Sequence, residues 1–379
     1  MKRILIALLM LPVLSLPARA EAPQVEAKSA FLLDMATGTV LGQQNPDEPL
    51  APASVTKVMT MLLIMEAIDS GAISWGDTVT TSEAAAAKGG SQVFLKVGET
   101  MSVSDMVKSI AVSSANDCAC AMAEHFAGSE AAFVDRMNVR AQERGMEHTH
   151  FVNCTGLDDS PEAASHRTTA RDIAIMSREL VKNHPDILKY TTIWMDTIRD
   201  GAFGLSNTNK MVRFYPGATG LKTGFTSGAG YCLSATAQRE GLHLIAVVMG
   251  SETSAKRFAA CKQLLDYGFA SFALYTPELP QTTVPVVLGT SETAILVLED
   301  SQPLLVEKGQ LGRVTTRLTL EESLPAPVAS GTQAGALEVR CDEKLLASIP
   351  LVTQEAVAKL TFFDVFTRLL GRVAFGGSS

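Results

Sequence analysis

The 379-residue sequence has few charged and few aromatic side chains: 19% of its residues are charged and 6% are aromatic. Because hydrophobic residues make up 46% of the chain and the net charge is only −8, the composition excludes an intrinsically disordered protein. Basic residues are not in excess, since 32 Lys and Arg face 40 Asp and Glu, and no basic stripe is visible. An acidic chain of this kind repels phosphate, which argues against nucleic-acid binding.

Metal-binding motifs are also missing. The sequence has no Cys-x-x-Cys or His-Glu-x-x-His pattern and its six histidines are scattered, so we expect no metal and no other cofactor. The cysteines, at positions 118, 120, 154, 232, 261 and 341, do not have the spacing of a disulfide framework. Cys118 and Cys120 would point to different faces of a helix, so we expect no bond between them. The pairing of the others stays open.

The N-terminal apolar run, residues 4–16, is shorter than the roughly 20 residues that a membrane span needs. It follows Lys2 and Arg3 and precedes a small-x-small cleavage site at residues 18–20. This layout is typical of a secretory signal peptide, which we predict over residues 1–20. We expect the mature protein to be exported, to the periplasm or the outer face of the cytoplasmic membrane. An uncleaved membrane anchor is the alternative.

The other end of the chain, residues 351–379, is predicted to carry an amphipathic helix. Phenylalanines on its apolar side and arginines on its polar side favour a helix that lies in a membrane interface. A helix docked on the protein's own core is the alternative, but the position after a β-rich region favours the membrane. The apolar side contains Phe362, Phe363, Phe366, Leu369, Leu370 and Val373, and the polar side Thr361, Asp364, Thr367, Arg368 and Arg372.

Between the two ends the sequence predicts two domains. Residues 21–276 begin with a hairpin that turns at Gly38 and end with two strands and a helix, so we expect an α/β sheet whose first and last strands pair. Continuous helices are predicted over residues 58–67, 106–126, 131–145, 169–183 and 256–269. Residues 277–350 contain prolines and short alternating stretches, which predict a small all-β sandwich domain.

The first candidate for chemistry is Ser54-Val55-Thr56-Lys57, at the start of the predicted buried helix. A spacing of three places the hydroxyl and the amine on one face of the helix, one turn apart. A lysine in such an apolar segment loses solvation, so its pKa should fall toward that of a usable base. The helix N-terminus also offers backbone N–H groups to an oxyanion. Alone, the motif equally fits a helix cap and a surface lysine.

Two further triplets follow. Ser114-Ala115-Asn116 lies at the start of or within a helix of small residues and fits either a catalytic role or a helix cap. Lys222-Thr223-Gly224, on a predicted sheet edge, would leave room for a peptide backbone and present a cation and a hydroxyl to its carboxylate. Each triplet is commonplace, but the order SxxK, SxN and KTG is the signature of the penicillin-recognising serine enzymes.

Within that group the sequence resembles the low-molecular-weight D-alanyl-D-alanine carboxypeptidases (peptidase family S11, penicillin-binding protein 5/6 type). The resemblance covers residues 27–276 closely, and the predicted signal peptide, β domain and terminal helix match the family layout. It implies a serine β-lactamase/DD-peptidase-like α/β (α+β) fold, an antiparallel sheet with helices on both sides. It rests further on Gly89-Gly90-Ser91, Val97-Gly98-Glu99, Asn153-Cys154-Thr155-Gly156-Leu157, His166-Arg167-Thr168-Thr169-Ala170-Arg171-Asp172, Asn207-Thr208-Asn209-Lys210 and Lys256-Arg257-Phe258.

The resemblance implies a role for each matching residue. Ser54 would be the acylated nucleophile, Lys57 its general base, and Ser114 a proton relay toward the leaving D-alanine. The backbone N–H groups of Ser54 and Phe225 would form the oxyanion hole. The implied substrate-binding residues are Asn116 for the peptide backbone, Lys222 for positive potential, Thr223 and Arg257 for the terminal carboxylate, and Gly224 and Phe225 beside them.

The sequence departs from the family pattern at two positions. Phe225 stands where some members carry a polar residue, which leaves substrate preference and deacylation rate open, and Ala115 replaces a more usual glycine. We expect His166 and Asp172 to be structural residues near the rim of the site. Glu162 lies in a suggestive loop, but its surroundings do not match those of the deacylating glutamate of class A β-lactamases.

The implied activity is removal of the terminal D-alanine from peptidoglycan stem pentapeptides through an acyl-enzyme, with β-lactams as acylating inhibitors. The expected partners are therefore stem peptides, β-lactams and, through the C-terminal helix, a membrane surface. A DD-endopeptidase or β-lactamase on the same fold is the alternative among enzymes. A catalytically silent peptidoglycan-binding protein is the alternative from another class.

Overall fold

The computed structural model describes residues 21–300 and 302–367. The predicted signal peptide and the part of the predicted C-terminal helix from residue 368 onward lie outside these residues. The first unit of the described chain has ten strands: β1 (Ser29–Asp34), β2 (Val40–Gln44), β3 (Thr78–Thr80), β4 (Thr100–Ser102), β5 (Met195–Ile198), β6 (Phe203–Ser206), β7 (Ala218–Thr226), β8 (Gly230–Arg239), β9 (Leu242–Ser251) and β10 (Phe272–Tyr275).

The helices of this unit lie mostly between β4 and β5. The described α-helices are α1 (Lys57–Asp69), α2 (Glu83–Ala86), α3 (Val103–Ser113), α4 (Asn116–Ala127), α5 (Glu130–Glu143), α6 (Ala170–Asn183), α7 (Leu188–Thr191), α8 (Met211–Phe214) and α9 (Ser254–Ser271). Short 3-10 turns cover Ala53–Thr56, Pro161–Ser165 and Pro185–Ile187.

A five-stranded antiparallel sheet, in the order β2-β1-β9-β8-β7, forms the centre of the first unit. Successive side chains of a strand point to opposite faces. On β1, Phe31 and Leu33 therefore join the core that contains α1 and α6, while Ala30 and Leu32 join the core beneath α9. Both faces are apolar, and helices cover both. The prediction that the first and last strands pair is confirmed, since β1 pairs with β9.

Helix α1 is buried on all sides, as its sequence predicts. Residues such as Met59, Leu62 and Met65 are fully buried although they point in different directions around the helix. A helix that is apolar all round belongs in the interior of a protein. Lys57, its first residue, is fully buried as well, so this helix places one charged group in the core.

The continuous helix expected over residues 106–126 is in fact two helices, α3 and α4. Ser114 between them has left-handed backbone dihedrals, with φ +63° and ψ +30°. The N–H of Asn116 donates to the carbonyl of Ser91 at 2.7 Å instead of to its own helix. The apolar periodicity continues across the break, so the pattern predicts one helix and misses this turn.

The second unit is a β domain with its own core. Its six-stranded sheet has the order β14-β16-β17-β12-β11-β15, and β13 pairs with β10 of the first unit. Alternate residues of β11, such as Val284 and Val286, are buried, which is the pattern of a sheet with one covered face. The strands are β11 (Thr282–Val287), β12 (Thr293–Leu298), β13 (Leu304–Glu307), β14 (Val314–Leu320), β15 (Leu324–Pro325), β16 (Gln333–Cys341) and β17 (Lys344–Thr353).

The amphipathic segment expected from residue 351 starts as part of this β domain, and here the prediction needs correction. Strand β17 continues to Thr353, and β-bridges then join Val357 to Val328 and Lys359 to Gly289. Leu351 is fully buried, so the apolar residues at the start of the segment fill the domain core. The described part of the helix covers residues 362–367.

Candidate active site

The candidate nucleophile lies in the 3-10 turn Ala53–Thr56, which runs directly into α1. The turn is held from within, because the hydroxyl of Thr56 donates to the carbonyl oxygen of Ala53 at 2.9 Å. His166 supports it from outside, with Nε2 2.9 Å from Thr56 Oγ1. The N–H of Val152 donates to His166 Nδ1 at 3.3 Å, so Nε2 carries the proton and donates to Thr56. Burial lowers the pKa of His166 to about 4, which keeps this ring neutral.

Lys57 lies directly beside Ser54. Its Nζ is 3.0 Å from Ser54 Oγ and also donates to the carbonyl oxygen of Thr155 at 2.7 Å. The side chain is fully buried, and burial lowers its pKa from 10.5 to about 7. A lysine with such a pKa is neutral in about half of the molecules at neutral pH, which is the state that accepts a proton.

The loop that supplies the Thr155 carbonyl approaches the nucleophile turn closely. Its next residue, Gly156, has φ +82°, and a Cβ atom there would overlap the carbonyl oxygen of Ala53. The side chain of Asn153 closes the loop by accepting hydrogen bonds from the N–H groups of Thr155 and Gly156 at 3.2 and 2.6 Å. A glycine is required here both for its conformation and for space. The sequence motif that contains these residues thus holds the Lys57 amine in place.

Ser114 and Asn116 flank the break between α3 and α4. The left-handed turn at Ser114 brings both residues to the surface of the core, where they are 3% and 1% exposed. Asn116 Nδ2 donates to the carbonyl oxygen of Gly89 at 2.7 Å, and its Oδ1 has no partner among the described residues. An amide with one free acceptor suits the N–H of a bound peptide. Among the described residues, no hydrogen bond joins Ser114 to Ser54 or Lys57.

The candidate binding strand is β7, at the edge of the central sheet. At Gly224 this strand lies against the nucleophile turn, since a Cβ atom there would lie 2.6 Å from the Pro52 carbonyl oxygen and 3.0 Å from the Val55 nitrogen. Thr223 donates its hydroxyl hydrogen to Thr208 Oγ1 at 2.7 Å. Thr208, for which the sequence predicts no role, orients this hydroxyl from a neighbouring loop.

Lys222 and Arg257 place two basic side chains beneath this strand. Lys222 is 1% exposed, and burial, together with the nearby Lys57 and Arg257, lowers its pKa well below the ordinary lysine value. The guanidinium of Arg257 donates to the carbonyl oxygens of Gly224 and Cys232 at 3.0 and 3.2 Å. The structure therefore places Arg257 behind β7, where it holds the backbone of the strand.

Phe225 is the one predicted site residue that lies mostly in solvent. Its ring is 52% exposed and stacks on Tyr231, with ring centroids 4.2 Å apart. The guanidinium carbon of Arg257 lies 5.4 Å from the centroid of the same Tyr231 ring, which gives a cation–π contact. The side chain of Phe225 thus forms an apolar wall at the end of β7.

The remaining candidates lie away from these contacts. Glu162 is exposed in the turn Pro161–Ser165. Asp172 accepts a hydrogen bond from Thr149 Oγ1 at 2.8 Å near the start of α6, and burial raises its pKa. The described residues contain no group of three or more His, Cys, Asp or Glu side chains that could hold a metal ion. All six cysteines are free and buried.

The electrostatics of the site suit an anionic substrate. Lys57, Lys222 and Arg257 converge there. The buried carboxylate that acts on Lys57, Asp117, already accepts hydrogen bonds from backbone N–H groups, among them those of Leu95 and Cys118 at 3.1 and 2.9 Å. A serine beside a lysine of lowered pKa, with a sheet edge next to it and positive charge beneath, defines the class of serine acyl hydrolases that use lysine as base.

Comparison with known proteins leads from this class to a family. Residues 17–253 match the peptidase S11 family, D-alanyl-D-alanine carboxypeptidase, and residues 269–359 match the C-terminal domain of penicillin-binding protein 5. The D-alanyl-D-alanine carboxypeptidase DacF of Bacillus subtilis is 41% identical over 353 residues, which is 91% of this chain and 90% of that protein. The chain therefore belongs to the D-alanyl-D-alanine carboxypeptidase family, and it is a serine-type peptidase of that family.

Solved structures agree with the fold. Penicillin-binding protein 5 from Haemophilus influenzae aligns with a TM-score of 0.74 at 31% identity, over 90% of this chain and all of that one. Penicillin-binding protein D2 from Listeria monocytogenes, solved in its cefotaxime-bound form, aligns with a TM-score of 0.60 at 33% identity, over 65% of this chain and 98% of that one. The expectation of a DD-peptidase fold with a C-terminal β domain is thereby confirmed.

Proposed function

We propose that Ser54 is the nucleophile and Lys57 its general base in the hydrolysis of D-alanyl-D-alanine peptides. The observation that carries this proposal is the 3.0 Å contact between Ser54 Oγ and a fully buried Lys57 Nζ whose pKa is about 7. The neutral amine takes the hydroxyl proton while Ser54 Oγ attacks the carbonyl carbon of the penultimate D-alanine. The terminal D-alanine leaves as a neutral amine with a proton relayed by Ser114, and water then hydrolyses the ester.

The substrate-binding roles follow from the positions of the other residues. The terminal carboxylate of the peptide would accept a hydrogen bond from Thr223, whose hydroxyl would turn from Thr208 toward the substrate, in the positive field of Lys222. Arg257 Nη1 already donates hydrogen bonds to the carbonyl oxygens of Gly224 and Cys232. Arg257 would therefore assist by holding Gly224 in place and by adding to the positive field. The unpartnered Oδ1 of Asn116 would accept a backbone N–H of the substrate. The N–H groups of Ser54 and Phe225 would stabilise the oxyanion.

The natural substrate in this proposal is the stem pentapeptide of peptidoglycan, and penicillin is a covalent inhibitor that acylates Ser54. The amide of its β-lactam ring and the carboxylate on the fused ring have the same polarity as the substrate's end. Release of free D-alanine from a synthetic pentapeptide tests the activity, and Ser54→Ala should release none. Cleavage of crosslinked dimers without D-alanine release would indicate an endopeptidase. Turnover of penicillin would indicate a β-lactamase, and failure of penicillin to label the protein would indicate a silent binding protein.

We also propose export and peripheral attachment to the outer face of the cytoplasmic membrane. Among the described residues, no helix is long and apolar enough to cross a bilayer. Three phenylalanines in the described part of the C-terminal helix are nevertheless exposed: Phe362 by 87%, Phe363 by 71% and Phe366 by 48%. Such a face supports insertion into the interface between lipid headgroups and chains.

The membrane proposal is tested by removing residues 362–379 and measuring sedimentation with anionic phospholipid vesicles. The cut falls after Lys359, which still pairs with Gly289, so the β domain keeps its bridges. The shortened protein should stay in the supernatant and keep its activity on a soluble pentapeptide. Sedimentation equal to that of the full chain would refute the anchor.

A further inference from the structure

An ion pair outside the sequence motifs joins the loop that precedes Gly89 to the start of helix α5. Lys88 Nζ lies 2.6 Å from Glu130 Oε2, and both side chains are more than three-quarters buried, at 24% and 22% exposure. Lys88 directly precedes Gly89, whose carbonyl oxygen accepts the hydrogen bond of Asn116 Nδ2. Glu130 is the first residue of α5. On the Lys88 side, the pair thus fixes the loop that orients the candidate substrate-binding amide.

On the other side, contacts lead from Glu130 to Lys57. The second carboxylate oxygen, Oε1, accepts hydrogen bonds from the N–H and the thiol of Cys154, both at 3.2 Å. The carbonyl oxygen of Cys154 accepts the hydroxyl of Thr60 at 2.6 Å. The next carbonyl, that of Thr155, receives the hydrogen bond from Lys57 Nζ. Because Cys154 is bonded at its N–H, its thiol and its carbonyl, the direction of the Thr155 carbonyl is fixed as well.

The charge of Glu130 strengthens this arrangement. Burial raises the pKa of Glu130, but the ion pair with Lys88 and the hydrogen bonds from Cys154 outweigh it, so the carboxyl stays ionised. The pKa of the Cys154 thiol is raised well above its ordinary value, by contact with the Cys120 thiol and by burial, so it remains a donor. Hydrogen bonds to an ionised acceptor are roughly twice as strong as neutral ones.

We propose that the Lys88–Glu130 ion pair is a positioning element for acylation, which directs the Thr155 carbonyl toward Lys57 and keeps the Gly89 carbonyl against Asn116. Neither residue of the pair touches the reacting atoms. The inference rests on the role proposed above for Lys57.

The test compares acylation rates of full-length variants with a fluorescent penicillin between pH 5 and 9. Glu130→Ala removes both the ion pair and the acceptor for Cys154, and Glu130→Gln removes only the charge. Lys88→Met leaves the acceptor. The matched control is Lys108→Met, because Lys108 is similarly buried, at 17% exposure, and forms ion pairs with Asp105 and Asp196 that reach no site residue.

Glu130→Ala should slow acylation by about ten- to a hundredfold, because a misplacement on the order of 1 Å costs up to about a hundredfold. Glu130→Gln and Lys88→Met should slow it by roughly three- to tenfold, and Lys108→Met by less than about twofold. In Glu130→Gln the midpoint of the rise in rate with pH should also move to lower pH. The unbalanced charge of Lys88 disfavours protonation of Lys57, while Asp117, Lys222, His166 and Cys154 around it are unchanged.

Wild-type rates and an unshifted midpoint in both Glu130→Gln and Lys88→Met would overturn the proposal, even if these variants unfold at lower temperature. Thermal unfolding recorded in parallel separates the two effects, and the isosteric Glu130→Gln gives the result if Glu130→Ala does not fold. Ser54→Ala distinguishes this failure from a failure of the proposed function. If Ser54→Ala is still acylated, the assigned nucleophile is wrong. If it is not acylated and the Glu130 variants react normally, only the positioning role is wrong.

Discussion

The lowered pKa of Lys57 predicts how the acylation rate depends on pH. In the proposed mechanism only the neutral amine accepts the proton of Ser54, and burial lowers the pKa of that amine from 10.5 to about 7. The rate constant for acylation by penicillin should therefore rise through a midpoint near pH 7 and then level off. At pH 5 only about 1% of the lysine is neutral, so the rate should be roughly a hundredfold below its plateau.

The same shift sets the advantage that burial gives to catalysis. A lysine with the ordinary pKa would be neutral in only about 0.03% of molecules at pH 7, against about half here. Burial therefore increases the available base by about a thousandfold, for a cost in folding free energy of about 5 kcal/mol. This cost lowers the stability of the folded protein, because the Lys57 cation is better solvated by water in the unfolded chain than by the core in the folded one.

The assay is pseudo-first-order labelling with a fluorescent penicillin at pH 5 to 9. His166 does not account for a midpoint near 7, because burial holds its pKa at about 4. Lys222→Met should still show a midpoint, at the same pH or a higher one because a nearby cation is lost, whereas Lys57→Arg should abolish labelling at every pH. A rate that is flat from pH 5 to 9, or that is still rising tenfold per pH unit at pH 9, would refute the reasoning about Lys57. Loss of the midpoint in Lys222→Met would assign it to the other lysine.

Three further variants test the packing around the nucleophile. Gly224→Ala, with a Cβ atom 2.6 Å from the Pro52 carbonyl oxygen, should slow penicillin labelling by about ten- to a hundredfold, while Gly204→Ala, which meets nothing within 4 Å, should not. Thr56→Val leaves buried partners unsatisfied and should lower the free energy of unfolding by about 1–3 kcal/mol in urea titrations. Lys57→Met should raise that free energy by about 2–5 kcal/mol at pH 7. The stability gained by Lys57→Met should shrink toward pH 10. In the wild type, unfolding lets Lys57 take up a proton, and this uptake occurs only below the pKa of 10.5 that Lys57 has in the unfolded chain.

The sequence predicts the parts of the fold and site that depend on local patterns. Ser54 and Lys57 are three residues apart on one turn, so their proximity follows from helical geometry alone. The apolar run behind them predicts burial, and burial predicts the direction of the pKa shift. The Lys222-Thr223-Gly224 strand is recognisable because a small residue is needed where two backbones meet.

The rest of the site depends on contacts between distant segments. Lys57 donates to a carbonyl 98 residues away, and Thr56 bonds to a histidine 110 residues away. Any residue type can supply a backbone carbonyl, so the sequence around Thr155 does not predict that its carbonyl binds Lys57. The turn at Ser114 is not predictable from the local sequence for a related reason. The N–H of Asn116 donates to the carbonyl of Ser91, which belongs to another loop. The sequence likewise does not show that Arg257 bonds the carbonyl of Gly224, 33 residues away, and so supports the strand.

The central claim is that Ser54 carries the acyl group. The most direct measurement is mass spectrometry of the protein after brief reaction with penicillin, followed by proteolysis and mapping of the modified peptide. We predict an increase in mass of one intact penicillin, on the peptide that contains Ser54, and no adduct in Ser54→Ala. An adduct on another residue, such as Ser114, or an unmodified wild-type protein would contradict the account.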